Sequence, residues 1–308
     1  MKQIPWTGNK ITEAGCYTGV KMEAYHGDVC DTASISSTGL RTIWDKSPAH
    51  YWSSSYLNPK RVQTDKPEFA FGRLAHKLLI EGPAGFGEEF AVRPDKWADY
   101  RSKDAQAWRD EQIAGGRTVV TEEQMAQVGE MALSLSRHPL IKAGALDGMI
   151  ERSLFHKLDG KYWLKARPDA LPEPTLASDL KTTGSVSDDD IQRSITSFSY
   201  NIQSAVVALS IKALTGKDLE SFALVFVEKA PPYSVRVVTI PGEDIDRGIK
   251  QAAAAFKEWA HCLETNEWPG PGSTDAEPVG LSKWARLMID DKLALLNAIH
   301  EERSNANV

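Results

Sequence analysis

Asp169, Asp179 and Lys181 have the types and spacing to hold a divalent cation beside a positive charge. In Asp179-Leu180-Lys181 the side-chain period of a strand is 2, so Asp179 and Lys181 project from one face while Leu180 points the other way, into a core. Asp169 comes earlier on a second extended segment, and the Pro172-Glu173-Pro174 link can bring the two segments side by side. Two carboxylates and an ammonium converging at strand ends suit a hard cation. The chemistry that needs this set together is phosphodiester hydrolysis: water must lose a proton, the phosphate must lose repulsive charge, and the leaving oxygen must be stabilised. A lysine can orient or help deprotonate the water, or offset transition-state charge, where an arginine does not give up its proton. The alternative is an ion pair on a solvated strand. Against it stand Leu176, Ala177 and Leu180, which mark a half-buried sheet where unpaired carboxylates are costly.

The elements that must position these groups follow from periodicity. Ser36 or Ser37 can cap a short helix through Ile43 and Trp44, and Ser47-Pro48 starts another, with Pro48 near the first helical position. Residues 57–66 form a polar loop carrying Lys60, Arg61 and Lys66. Over 68–81 the apolar residues Phe71, Leu74, Ala75, Leu78 and Leu79 recur at helical spacing, with His76 to one side of the stripe. By itself His76 reads as a boundary histidine satisfied by a backbone carbonyl. Residues 96–116 read as a surface helix, and Thr121 with Gln124 is a capping box opening a helix to 136. From 148 the period becomes strand-like, and Asp159-Gly160 predicts a hairpin with a two-residue turn, followed by the strand of Asp179. Helices over 188–198 and 200–214, strands over 221–228 and 234–240, a long helix over 242–266 and a closing helix pair over 281–300 complete the pattern. The order implies an α/β or α+β domain with a central mixed sheet. It reads as one domain over 1–308: an N-terminal helical and loop part (1–66), a catalytic core (67–240) and C-terminal helices (241–308).

Composition narrows the field. No apolar run reaches the roughly 20 residues that span a bilayer, and the first residues lack the apolar region of an export signal, so a cytoplasmic protein is expected. Cys16, Cys30 and Cys262 are far apart and in no CxxC spacing, which disfavours disulfide, zinc and iron–sulfur frameworks. The net charge of -6 argues against a general nucleic-acid coat, yet an acidic exterior is compatible with a basic channel.

The chain resembles the PD-(D/E)XK nuclease superfamily, and within it the exonuclease VIII (RecE-type) group of phage and prophage recombination nucleases. The matching pieces are Tyr25-His26, ISSTGL (35–40), SPAHYW (47–52), FGRLAHKLLIE (71–81), KARPDAL (165–171), DLKTT (179–183), SYNIQSAV (199–206), TNEWP (265–269) and LSKWAR (281–286). The resemblance implies a restriction-endonuclease-like core and a two-metal site in which His76, Asp169 and Asp179 hold Mg2+ or Mn2+. The Leu180 carbonyl is a further ligand and Lys181 serves the water. It also implies that Tyr200 and Gln203, three apart on one helix face, look into the site; a satisfied pair at the core edge is the other reading. Glu81 is a further metal candidate, against a solvated helix end. Arg73 and Arg167, next to the motifs, are candidates for DNA backbone contact. The implied activity is Mg2+-dependent digestion of double-stranded DNA from an end, 5′ to 3′, in phage-type recombination in a bacterial cytoplasm. A homo-oligomeric ring and a single-strand annealing partner come with it, and no membrane. Two other readings of the same fold are a structure-specific or restriction-type endonuclease and a catalytically silent DNA-binding module.

Overall fold

The structure, a computed structural model, describes residues 1–61, 68–272, 276 and 278–305; Lys66 of the polar loop lies outside them. It divides into two compact units, Met1–Gly270 and Pro271–Val308. The first unit opens with β1 (Gln3–Pro5), β2 (Gly15–Thr18), α1 (Met22–Tyr25), β3 (Ser34–Ser36), α2 (Ser37–Asp45) and α3 (Pro48–Ser54). Then come α4 (Glu68–His76), a π-helical turn (Lys77–Glu81), α5 (Phe86–Glu89), β4 (Phe90–Val92), α6 (Lys103–Ala114), β5 (Thr118–Val120), α7 (Glu122–Arg137) and α8 (Pro139–Lys142). The strands β6 (Met149–Ile150), β7 (Ser153–Lys157), β8 (Trp163–Ala166), β9 (Ala170–Glu173) and β10 (Leu176–Thr183) follow. The unit ends with α9 (Asp188–Ser197), α10 (Tyr200–Thr215), β11 (Ser221–Glu228), β12 (Val235–Thr239) and α11 (Gly242–Thr265). The second unit holds α12 (Lys283–Asn305), a single helix where the sequence suggested a pair. No glycine or proline interrupts 283–305, so nothing breaks it.

Fold class agrees with expectation, with mixed sheets flanked by helices, but there are two principal sheets where one was expected. Their orders are β1-β2-β7-β8-β3 and β12-β11-β10-β9-β6, each with parallel and antiparallel pairs, and β4-β5 form a separate ribbon. The second sheet is buried on both faces. Phe222, Leu224 and Phe226 of β11 join Ala177 of β10 in a core with α2, α10 and α11. Val225 and Val227 join Leu180 in a second core with Leu74 and Ala75 of α4 and Val128, Met131 and Leu135 of α7. The period-2 alternation therefore sends Leu180 toward α4 and α7, and Asp179 and Lys181 toward α10, as the sequence predicts.

Caps fall where the side chains dictate. Ser47 accepts from His50 N with Pro48 opening α3, and Thr121 and Gln124 form the reciprocal capping box of α7. Gly216 ends α10 in the left-handed conformation. The hairpin β7–β8 forms, but its connection is residues 158–162 rather than two residues. Asp159 explains the longer loop, because its Oδ1 accepts from both Lys161 N and Tyr162 N at 2.9 Å.

His156 of β7 is 4% exposed, and its Nδ1 is buried without a hydrogen-bond partner. Burial pushes its pKa down to about 4. An unfolded histidine titrates near 6.5, so the unfolded chain binds the extra proton first. The contribution of neutral His156 is full above about pH 6.5 and is lost as pH falls toward 4. We expect His156→Leu to lose about 2 kcal/mol less stability than wild type between pH 7 and pH 5, read from denaturant midpoints. Equal losses in the two proteins would refute this assignment.

Candidate active site

The site is built where both strands of the predicted hairpin break together. The 149–158 run breaks at Glu151, whose φ is 53°, and 161–171 breaks at Arg167-Pro168-Asp169. On one side of the break β7 and β8 pair in the first sheet; on the other, β6 and β9 pair in the second. Glu151 N donates to Asp169 O at 3.0 Å, tying the two breaks to each other. Pro168 supplies the reason. Extending the β9–β10 register from Ser178↔Ala170 puts Leu180 opposite Pro168, which has no N–H to pair. The Asp169 carboxylate takes over the ladder: its Oδ2 accepts from Leu180 N at 2.7 Å, and Asp169 N donates to Asp179 Oδ1 at 3.3 Å. Gly148, just upstream, has φ 88° and lies so near β9 that a Cβ would meet Leu171 O at 2.3 Å, so only glycine lets β6 approach.

Asp169 and Asp179 thus meet across the strand pair, and both are buried (8% and 2% exposed). His76 arrives from α4 at the opposite side. Its Nε2 lies 3.0 Å from Asp169 Oδ1 and 3.0 Å from Glu151 Oε1. Immediately after His76 the helix widens into the π-helical turn Lys77–Glu81, where the sequence suggested a regular helix through 81. Lys77, buried there, pairs with Glu81 at 2.9 Å and Glu89 at 2.7 Å. Glu81 stands 3.8 Å from His76 Nδ1, on the side away from Asp169, and belongs to this lysine cluster.

Lys181 Nζ pairs with Asp179 Oδ2 and lies 3.3 Å from Gln203 Oε1 and 4.8 Å from the centre of the Tyr200 ring. Gln203 Nε2 donates to Asp179 Oδ2 at 2.7 Å. Tyr200 and Gln203 therefore both reach the Asp179–Lys181 pair from the first turn of α10. Leu180, between the two charged residues, contributes its N–H to Asp169.

The charges organise one another. Burial would push Asp169 up, but the His76 charge and hydrogen bond, with Lys181 and the Leu180 N–H, hold its carboxyl below the ordinary range. Burial and the neighbouring Asp169 charge push Asp179 up, against the pull of Lys181 and Gln203. Burial would lower His76, yet Asp169 and Glu151 raise it to about 11. Burial raises Glu151, opposed by His76. A histidine nitrogen held between two carboxylates marks a place that demands positive charge. One histidine nitrogen and two carboxylate oxygens, from His76, Glu151 and Asp169, lie within 4.8 Å of one another. Hard oxygens with one imidazole suit Mg2+ or Mn2+, so this donor set fits the cation the sequence implies.

Glu151 was not singled out in the sequence, where it is one acidic residue in a strand-like run. Arg41 of α2 was also missed. It donates to Phe198 O at 2.7 Å, its Nε is buried without a hydrogen-bond partner, and its charge is felt by Tyr200 and Asp179. The two arginine candidates for DNA contact stand differently. Arg73 donates to Thr118 Oγ1 at 3.2 Å, linking α4 to β5. The Arg167 side chain is 9% exposed and its guanidinium is engaged by Val20 O, Ser153 Oγ at 2.9 Å and Glu151 at 3.5 Å. Arg167 holds Glu151 in place rather than offering a surface for phosphate.

Comparison with known proteins bears on the family and the fold. A family described as a PDDEXK-like domain of unknown function matches residues 36–277. The fold is similar to the crystal structure of a Eubacterium rectale protein named a candidate exonuclease, with a TM-score of 0.60, 12% identity, and coverage of 85% of this chain and 97% of that one. A phage-related exonuclease from Haemophilus somnus 129PT aligns over 59% of this chain and 94% of its own at 13% identity and a TM-score of 0.31. No curated protein sequence matches.

Proposed function

The chain belongs to the family of PDDEXK-like domains of unknown function, and from that premise we propose that it is a divalent-metal-dependent nuclease that digests double-stranded DNA from an end, 5′ to 3′. The observation that carries this reading is the meeting of His76, Glu151, Asp169 and Asp179 beside Lys181. His76, Glu151 and Asp169 would hold Mg2+ or Mn2+, with Asp179 and the Leu180 carbonyl toward a second position. A bound divalent ion would neutralise the scissile phosphate and acidify water. Lys181, fixed by Asp179 and Gln203, orients the attacking water and offsets developing charge. Tyr200 places its ring against the Lys181 ammonium and restricts where that ammonium points. Phosphate contacts carry no sequence information, so cleavage is expected to be indifferent to sequence. A role in phage-type recombination, with a ring-shaped homo-oligomer and a single-strand annealing partner, extends the resemblance of the motifs.

The test is a linear duplex labelled at either 5′ or 3′ ends, with Mg2+ or Mn2+, beside a covalently closed circle. Early loss of the 5′ label and an intact circle are expected. Cutting of the circle would replace the exonuclease with an endonuclease. No nucleotide release under any divalent ion would leave a DNA-binding module of the same fold.

A further inference from the structure

An exposed aromatic ring stacks on the tyrosine that faces Lys181. Phe198 is 57% exposed, and its ring lies on that of Tyr200 with centres 5.6 Å apart and planes 25° apart. Tyr200 in turn stands 4.8 Å from the Lys181 ammonium, which pairs with Asp179. With one face of Phe198 against Tyr200 and most of the residue exposed, the opposite face is open. Isolated exposed apolar residues are ordinary on protein surfaces and need no explanation. This one is held in a way that a stray surface ring does not require.

Phe198 and Ser199 alone join α9 to α10, and the backbone there is tightly fixed. Ser199 has φ 47° and ψ 50°, the left-handed conformation that residues with a side chain seldom adopt. Its hydroxyl reaches both carboxylate oxygens of Asp45 at 2.9 Å, and Arg41 donates to Phe198 O at 2.7 Å, so α2 grips both residues. On the α9 side, Phe198 N donates to Ser194 O at 3.0 Å. The main chain is tied down while the ring it carries is left uncovered. Backbone held in a sparsely populated conformation by supporting bonds clusters at functional sites, where the fold gives up stability to place a side chain.

The chemistry that fits an open ring face beside a phosphodiester-cutting centre is a nucleobase, since every base has a π face and stacking on an aromatic side chain needs no particular sequence. Inside a duplex each base is already stacked on both sides, and extruding one is costly. At a duplex end the terminal pair has a face free. We infer that Phe198 is a stacking platform for the terminal base of the DNA strand being digested, and that this contact favours ends over interior positions. The identity of the ligand rests on the nuclease reading. A blunt duplex with the fluorescent base 2-aminopurine as its 5′-terminal nucleotide, held in EDTA so that nothing is cut, reads the contact directly. Wild type and Phe198→Trp should quench the terminal probe, Phe198→Leu should not, and a probe at an internal position should respond to none of them. Phe198→Leu keeps apolar bulk at an exposed position, so its Tm should match wild type. With divalent ion present, the same variant should raise KM for linear duplex about 5- to 100-fold with little change in kcat, and Phe198→Trp should restore it. Removing the terminal base from the substrate should raise the wild-type KM by a similar factor and leave that of Phe198→Leu where it was. No quenching by wild type, equal quenching by Phe198→Leu, or an abasic penalty of the same size in both proteins each overturns the platform. Quenching that depends on Phe198, in a protein that cuts no DNA, keeps the platform and removes the nuclease.

Discussion

Asp169→Asn is expected to lower metal-dependent cleavage of linear duplex DNA by about 10³-fold or more and to leave the protein folded. The residue occupies both sides of the site. Oδ1 faces His76 at 3.0 Å within the donor set that fits a cation, and Oδ2 accepts from Leu180 N at 2.7 Å. Asparagine can keep the second bond through its carbonyl oxygen and so preserve the bend of β9 onto β10, but it brings no charge to the first. Mn2+ affinity should therefore drop by more than the roughly 10- to 100-fold that follows loss of a partner outside the ligand set. Removing one of two adjacent carboxylates also relieves Asp179, whose carboxyl is raised partly by the Asp169 charge. Titration calorimetry with Mn2+ and a single-turnover cleavage assay check both halves. An Asp169→Asn protein that binds Mn2+ and cuts DNA like wild type would remove Asp169 from the site.

What the sequence made legible depended on local chemistry. The Asp179-Leu180-Lys181 triplet reads correctly because strand alternation is geometric and because Leu180 has an apolar layer to enter on the α4 side. The helices of Thr121 and Tyr200 read correctly because cap and glycine signals are local. Glu151 was illegible for the opposite reason. Its place depends on a strand break imposed from elsewhere: Pro168 interrupts the partner segment, and the two segments change sheets together at Glu151 and Asp169. A proline inside a predicted strand was the available signal, and pairing the residue that follows it, Asp169, with its partner across the hairpin would have pointed to Glu151. The π-helical turn after His76 was hidden because the apolar stripe continues unbroken through it, while the pairs of Lys77 with Glu81 and Glu89 are tertiary. Arg167 shows the same limit in reverse. Adjacency to a motif made it a DNA candidate, and packing against Tyr25, Val20 and Glu151 made it an internal support.

Lys181 separates two accounts of the chemistry, and two substitutions tell them apart. Lys181→Met should lower kcat by about 10²- to 10⁴-fold, the range expected when a positioned proton-transfer group is lost. It should also lower Tm, since Asp179 is 2% exposed and would keep only Gln203 Nε2 and Asp169 N as donors. Breaking a buried pair by removing one partner costs about 3–5 kcal/mol, and protonation of Asp179 would recover part of that. Lys181→Arg keeps the cation beside Asp179 and so should hold Tm near wild type. Arginine does not release its proton at neutral pH, and its planar group cannot reproduce the compact ammonium held over the Tyr200 ring. If Lys181 orients and deprotonates water, the arginine variant cleaves about as poorly as the methionine variant while being more stable. If Lys181 only offsets negative charge, arginine restores most of the rate. The two variants thereby separate stability, which is expected to follow the charge on residue 181, from turnover, which follows proton exchange only if the arginine variant is as slow as the methionine variant.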